Sequence, residues 1–332
     1  MALTARPGIM EIAAYVPGEH SLPGDGPIHR MASNESALGP SPKAVEAYRA
    51  VAGDLFRYPD ASAKAVRVAL GKEYGIDPDC VVCGAGSDDV LQLLVRAYAG
   101  PGDEVLYSQY GFLVYPIAAK AVGATPVAAP EKDVKTDVDA LLKAVTPRTR
   151  ICFVANPNNP TGSYISGAEL ERLRAGLPDN VLLVVDAAYA EYVDLPDYES
   201  GLTMVQRYGN VVMTRTFSKI FGLAALRLGW AYCPPAVADV LNRIRGPFNV
   251  PAPAQAAGVA ALGDRDALRE AMLARGARDR GADEADADDR ERVEERLAHC
   301  VAAPFTKASN ASAQALTAPS SAMVTRRQSG RP

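Results

Sequence analysis

The chain contains no apolar run approaching the roughly 18 residues that a membrane-spanning helix needs. Its first residues, Met1-Ala2-Leu3-Thr4-Ala5-Arg6-Pro7, lack the apolar core of a secretory signal. A cytoplasmic protein with no membrane partner is expected. Charge of one sign is missing too: 35 basic side chains stand against 39 acidic ones, a formal net charge of −4. No basic stretch is interleaved with aromatics, so no nucleic-acid partner is expected. Cysteine is sparse, at positions 80, 83, 152, 233 and 300. An odd, scattered count argues against a disulfide framework. Cys80-Val81-Val82-Cys83 has no second CxxC to close a zinc site. The segment reads as a strand, in which residues three apart face opposite sides. Buried structural thiols and no metal are expected. No internal repeat is present.

What is present suffices for a sizeable core and about two domains: 332 residues, 48% of them hydrophobic. The chain is organised around one lysine. Asn210-Val211-Val212-Met213 reads as a strand, and so does Leu226-Arg227-Leu228-Gly229-Trp230-Ala231-Tyr232. Between them, in a polar loop, lies Lys219. Desolvation and the cations Arg215 and Arg227 would lower its pKa and make its amine a nucleophile. Thr216, Ser218 and Arg227 offer donors for a phosphate. Taken alone, the segment reads equally well as a surface loop with a solvated lysine.

Four other stretches bear on that choice. Val82-Cys83-Gly84-Ala85-Gly86-Ser87-Asp88-Asp89 reads as strand, small-residue loop and helix, a place where backbone N–H groups can meet a phosphate. It half-matches a dinucleotide fingerprint, but Asp89 occupies the third glycine position. A plain N-capped helix is the alternative there. Ile151-Cys152-Phe153-Val154-Ala155 reads as a buried parallel strand that ends in Asn156-Pro157-Asn158-Asn159-Pro160-Thr161-Gly162. Val181-Leu182-Leu183-Val184-Val185 delivers Asp186 to a strand end, where open α/β sheets bind ligands. An unpartnered carboxylate is costly to bury, and a protonated pyridine nitrogen is a fitting partner. Tyr110 follows the strand Glu104-Val105-Leu106-Tyr107. Near the start, Gly39-Pro40-Ser41-Pro42 opens a helix with Ser41 as N-cap, and a helix of roughly 62–73 follows Arg57-Tyr58-Pro59-Asp60.

Thr216, Ser218, Lys219 and Arg227 together resemble the cofactor-lysine motif of fold-type I enzymes that use pyridoxal 5′-phosphate (PLP), and most closely the histidinol-phosphate aminotransferase family. The resemblance covers roughly residues 8–275, with six motifs in family order. It implies an α/β fold with a mostly parallel central sheet, and a PLP-dependent aminotransferase acting on an amino donor and a 2-oxo acid. Histidinol phosphate and 2-oxoglutarate are the pair it favours. By resemblance, Lys219 is the amine that carries the cofactor and moves the proton, and Asp186 serves the pyridine nitrogen. Asn159 and Tyr189 serve the phenolic oxygen, and Tyr110 stacks on the ring. Gly86, Ser87, Asp88, Thr216, Ser218 and Arg227 form the phosphate site. Tyr58 reaches the phosphate of the neighbouring subunit in a homodimer. Tyr15, in Tyr15-Val16-Pro17-Gly18, and Asn34 lie by the substrate. Asn34-Glu35 match the family's Asn-Glu-Asn-Pro, whereas Ser36-Ala37 depart from it. A phosphothreonine decarboxylase and an aromatic aminotransferase share these motifs. A catalytically impaired PLP-binding remnant is a reading of another class, and an NAD oxidoreductase would rest on the Gly84–Gly86 loop alone.

Four regions are expected: an N-terminal arm at 1–30, a PLP-binding large domain at 31–245, the start of a small domain at 246–275, and a divergent, disordered tail at 276–332. Past 275, Ala, Arg, Asp, Ser and Thr dominate and the family's Asn-Phe strand and substrate-binding arginine are not found. A replaced or frameshifted end would give that composition.

Overall fold

The computed structural model describes residues 5–13 and 33–272. Most of the expected arm, Tyr15 with it, and the expected tail lie outside the described residues. The described chain builds one seven-stranded sheet: β1 (Val81–Gly84), β2 (Glu104–Ser108), β3 (Thr125–Ala129), β4 (Thr149–Ala155), β5 (Leu182–Asp186), β6 (Val211–Thr216) and β7 (Gly229–Tyr232). The strand order is β1-β7-β6-β5-β4-β2-β3. Pairings β2–β3, β2–β4, β4–β5 and β5–β6 are parallel, while β7 runs antiparallel to both β6 and β1. The sheet is mostly parallel, as the sequence leads one to expect.

The central strands are buried along their whole length, as a parallel sheet covered on both faces requires. Side chains alternate between two cores. Leu183, Val185, Val211, Met213 and Trp230 pack on one face, and Leu182, Val184, Val212 and Ala231 on the other. The edge strand β3 is partly exposed and accommodates Pro126, whose missing N–H costs least at an edge.

Nine α-helices are named among the described residues: α1 (Pro42–Ala50), α2 (Lys64–Tyr74), α3 (Ser87–Tyr98), α4 (Val114–Val122), α5 (Val138–Ala144), α6 (Gly167–Gly176), α7 (Leu202–Arg207), α8 (Pro235–Ile244) and α9 (Ala252–Leu262). Ser41 caps α1 by accepting from the Ala44 N–H, with Pro42 in the first turn. A further helical stretch runs from 265 to the end of the described residues.

Three expectations need correction. The second strand flanking Lys219 begins at Gly229 rather than Leu226, because Ala224–Leu226 form a 3-10 turn and Arg227 has a left-handed φ of 52°. The Lys219 loop is largely apolar, with Phe217, Ile220, Phe221 and Leu223 all buried. Cys80 ends a 3-10 turn and precedes the strand, so strand alternation does not separate it from Cys83, and both lie in the same core.

Candidate active site

Five loops leave the C-terminal ends of parallel-running strands, where an open α/β sheet presents its ligand crevice. After β1 comes Ala85-Gly86, after β2 Tyr110, after β4 Asn156–Gly162, after β5 Tyr189, and after β6 Lys219. The site is therefore a product of strand direction: parallel crossovers return each motif to the same edge.

Asp186 ends β5 and is 5% exposed. Burial pushes its carboxyl above the usual carboxylate range, against hydrogen bonds that hold it down. The Tyr115 hydroxyl donates to Oδ2 at 2.9 Å, and the Thr214 hydroxyl donates to Oδ1 at 3.1 Å. Alternation along β6 turns Thr214 toward Asp186 and Arg215 to the opposite side. Arg215 meets Glu191 there at 2.9 Å and lies over the Tyr74 ring. This places Arg215 apart from the lysine, contrary to the sequence expectation.

Lys219 Nζ donates to the Ser33 carbonyl at 2.9 Å and lies 5.4 Å from the centroid of the Tyr189 ring. Burial lowers its pKa to about 8; Glu35 pulls it upward, while Arg227 adds to the lowering. Asn34, at a φ of 56°, donates from its amide to the Tyr189 hydroxyl at 3.0 Å. The Ser33–Glu35 segment thus covers the lysine and fixes the tyrosine. Glu35 influences Lys219, although of these two neighbours sequence reasoning placed Asn34 alone by the substrate.

The phosphate loop is compact. Gly86 has a φ of 96°, and a Cβ there would lie 2.4 Å from an Arg227 guanidinium nitrogen. A Cβ on Gly229 would lie 2.0 Å from the Ser87 backbone nitrogen, so β7 and the loop touch through a residue with no side chain. Of the acidic pair after Ser87, Asp89 is turned aside, while Asp88 stays on the Arg227 side of the loop and its charge is felt at Asp186. Asp89 accepts from the Ala85 N–H at 2.9 Å and from Asn249 at 3.3 Å. Asp88 pairs with Arg227 at 2.7 Å. Arg227 also reaches Ser218 Oγ at 3.5 Å, and the Thr216 hydroxyl accepts from the Ser218 N–H at 3.0 Å, closing the turn before the lysine.

Tyr110 is half exposed and held by its backbone. Its N–H donates to Glu131 at 3.2 Å, and its carbonyl accepts from Asn158 at 3.4 Å. Asn159 is half-buried, and its side chain has no hydrogen-bond partner among the described residues. Tyr58 is 81% exposed and stacks on Phe248 with ring centroids 4.5 Å apart.

Sequence reasoning missed Tyr115, Thr214, Glu131 and Asn249 as parts of this neighbourhood. Asn249 carried a signal, since Asn249-Val250-Pro251 matches a family segment. The other three had none beyond their types.

The residues present fit PLP on three counts. A glycine-lined loop at the start of α3 lies directly against Arg227, with no room for a Cβ between them. A buried carboxylate at a strand end lacks a directly bonded cation. A half-buried amine of lowered pKa is in electrostatic reach of both Asp186 and Arg227.

Comparison with known proteins agrees with this geometry. The profile of the family "Aminotransferase class I and II" matches residues 27–288. A histidinol-phosphate aminotransferase of Rhodospirillum centenum is 66% identical over 258 residues, 78% of this chain and 71% of that protein. Its counterpart in Paramagnetospirillum magneticum is 61% identical over 259 residues, with the same coverage. Among solved structures, the histidinol-phosphate aminotransferase of Sinorhizobium meliloti in complex with pyridoxal 5′-phosphate superposes with a TM-score of 0.69 at 33% identity. That match covers 73% of this chain and 66% of the other.

Proposed function

We propose a function from one premise: the chain belongs to the class I and II aminotransferases and, within them, to the histidinol-phosphate aminotransferase family. It moves the amino group of histidinol phosphate to 2-oxoglutarate with PLP as cofactor. The observation that carries this reading is the meeting, at one sheet edge, of an amine lowered to about 8 and a buried carboxylate.

When bound, PLP supplies an electron sink conjugated to the amino group in transfer. Asp186 would hold its pyridine nitrogen, Asn159 and Tyr189 its phenolic oxygen, and Tyr110 one face of its ring. Gly86, Ser87, Ser218 and Arg227 would hold its phosphate, with Asp88 orienting Arg227 and Thr216 shaping the turn. Lys219 Nζ takes the proton from the substrate Cα and later returns one, a task suited to an amine whose pKa lies near the working pH. The apolar loop around it limits water at that atom. Asn34 orients Tyr189.

The enzyme acts as a homodimer in which Tyr58 serves the neighbouring site. Leu55, Phe56, Tyr58 and Phe248 support this, since all four are exposed apolar or aromatic side chains. A cytoplasmic location is part of the same proposal. Cys80, Cys83, Cys152 and Cys233 are all free and buried, which suits a reducing compartment.

Purified holoprotein supplied with histidinol phosphate and 2-oxoglutarate should form glutamate and the ketone of the donor. Turnover of a different amine from a donor panel, with none of histidinol phosphate, would overturn the substrate assignment. A yellow protein that turns over no donor would favour the impaired remnant.

A further inference from the structure

The Tyr115 side chain is 1% exposed, yet it carries a polar group into the core of the sheet. Among the described residues its hydroxyl makes one hydrogen bond, the 2.9 Å donation to Asp186 Oδ2. The ring that aims this hydroxyl is fixed on several sides. It stacks on Phe153 with centroids 4.5 Å apart and planes 3° from parallel, and it meets Tyr107 and Phe112 edge-on. Phe153 belongs to β4, beside β5, and Tyr115 to α4, which packs over the same face. A phenylalanine would fill this space at no polar cost, so a tyrosine here needs a polar reason.

We propose that Tyr115 is a positioning residue of the reaction, its phenol holding the Asp186 carboxylate charged and in one orientation for the cofactor's pyridine nitrogen. This rests on the reading above that Asp186 serves that nitrogen. The chemistry of the surroundings supports it. Asp186 is packed in apolar strands, which favour its neutral form, and Asp88 of α3 pushes the same way. Opposing them are the hydroxyls of Tyr115 and Thr214 and the backbone N–H of Ala188. Lys219 and the Tyr198 phenol interact with it too, and the Tyr189 phenol faces Tyr115. Burial and the neighbouring carboxylate hold the Tyr115 phenol well above the ordinary tyrosine range. It therefore stays a donor wherever the enzyme works. Thr214 can rotate its hydroxyl toward other acceptors, whereas the stacked ring of Tyr115 cannot turn away.

The test uses the full chain with Tyr115→Phe, which removes one oxygen and keeps the ring. In apo protein, the carboxylic-acid carbonyl stretch of Asp186 is isolated by infrared difference against Asp186→Asn, and its titration midpoint is measured. The midpoint should rise by about one unit or more, because a charge-assisted hydrogen bond is lost. In the loaded enzyme, kcat should fall by roughly tenfold or more while KM for the amino donor changes little. A midpoint equal to wild type overturns the proposal, even if the melting temperature falls, since a merely structural role would move only the latter. Should Tyr115→Phe be insoluble, Phe153→Leu, which loosens the stack that aims the phenol, must raise the same midpoint, and an unchanged value there is equally fatal. The apo measurement stands whether or not histidinol phosphate is the donor. An unmoved midpoint in Tyr115→Phe, where the wild-type chain turns over, removes Tyr115 alone.

Discussion

Asn34 donates from its side-chain amide to the hydroxyl of Tyr189 at 3.0 Å, while holding a left-handed φ of 56°. One residue thus supplies both a bend and a bond. Asn34→Gly removes the bond and keeps the bend, whereas Asn34→Ala loses both. Both should lower kcat/KM by about tenfold, the scale of one orienting hydrogen bond. Asn34→Ala alone should also lose about 1 kcal/mol of stability, the cost of a left-handed non-glycine residue. Equal stabilities in urea titrations would show that the bend is not strained.

On the proposed role of Lys219 as the amine that carries cofactor and proton, Lys219→Ala should abolish turnover. Borohydride should fix PLP to wild type and not to the variant, read by mass spectrometry. Covalent PLP on Lys219→Ala would reassign the lysine.

The same side chain gives a prediction for protein without cofactor. Its pKa falls from an ordinary 10.5 to about 8 on folding. Between those values the unfolded chain binds more protons than the folded one, so stability rises with pH through that window. Below about 8 both states are protonated, and folding bears the full cost of the buried charge. Lys219→Met should therefore stabilise the apo protein at pH 7, by on the order of 2 kcal/mol. The gain should shrink as pH climbs toward 10. A variant less stable than wild type at pH 7 would contradict the assigned burial.

Asp186→Asn should cost far more in rate than in cofactor retention. The proposed phosphate contacts would survive, while the charge proposed to serve the pyridine nitrogen would not. Equilibrium dialysis of PLP alongside kcat separates the two. Near-normal turnover would remove Asp186 from its role.

Tyr58→Phe should weaken PLP retention if the tyrosine serves the neighbouring site. Sedimentation shows whether the dimer persists. A monomer with normal turnover would exclude a shared site.

Much of this site was legible because its information is local in the chain. Apolar runs such as Leu182–Val185 announce buried parallel strands, and the residues that follow them must sit at one edge. Lys219, Asp186 and Asn156–Gly162 could be grouped on that rule before any coordinates. Tyr115 could not, because Val114-Tyr115-Pro116 reads as core and its partner lies far along the chain. Glu131 reaches Tyr110 only through the fold. The reversal of β7 was also hidden: Gly229–Tyr232 is as apolar as any parallel strand, and its direction follows from the loop 217–228, which carries Lys219 and no crossover helix. The place of Arg215 was misjudged for a simpler reason. One step along a strand reverses the face.

That reversal has a consequence for how the protein is born. β1 has β7 as its neighbour in the sheet, and Val81 pairs with Tyr232. A ribosome releases β1 early and β7 late. While β2 to β6 can pair among themselves as they emerge, β1 waits with no strand beside it. The phosphate cradle, squeezed between Ser87 and Gly229, cannot close until that late strand arrives. The contact between Ser87 and Gly229 thus forms only after the sheet is synthesised, and a nascent chain that stalls before Gly229 has the lysine loop but not that contact.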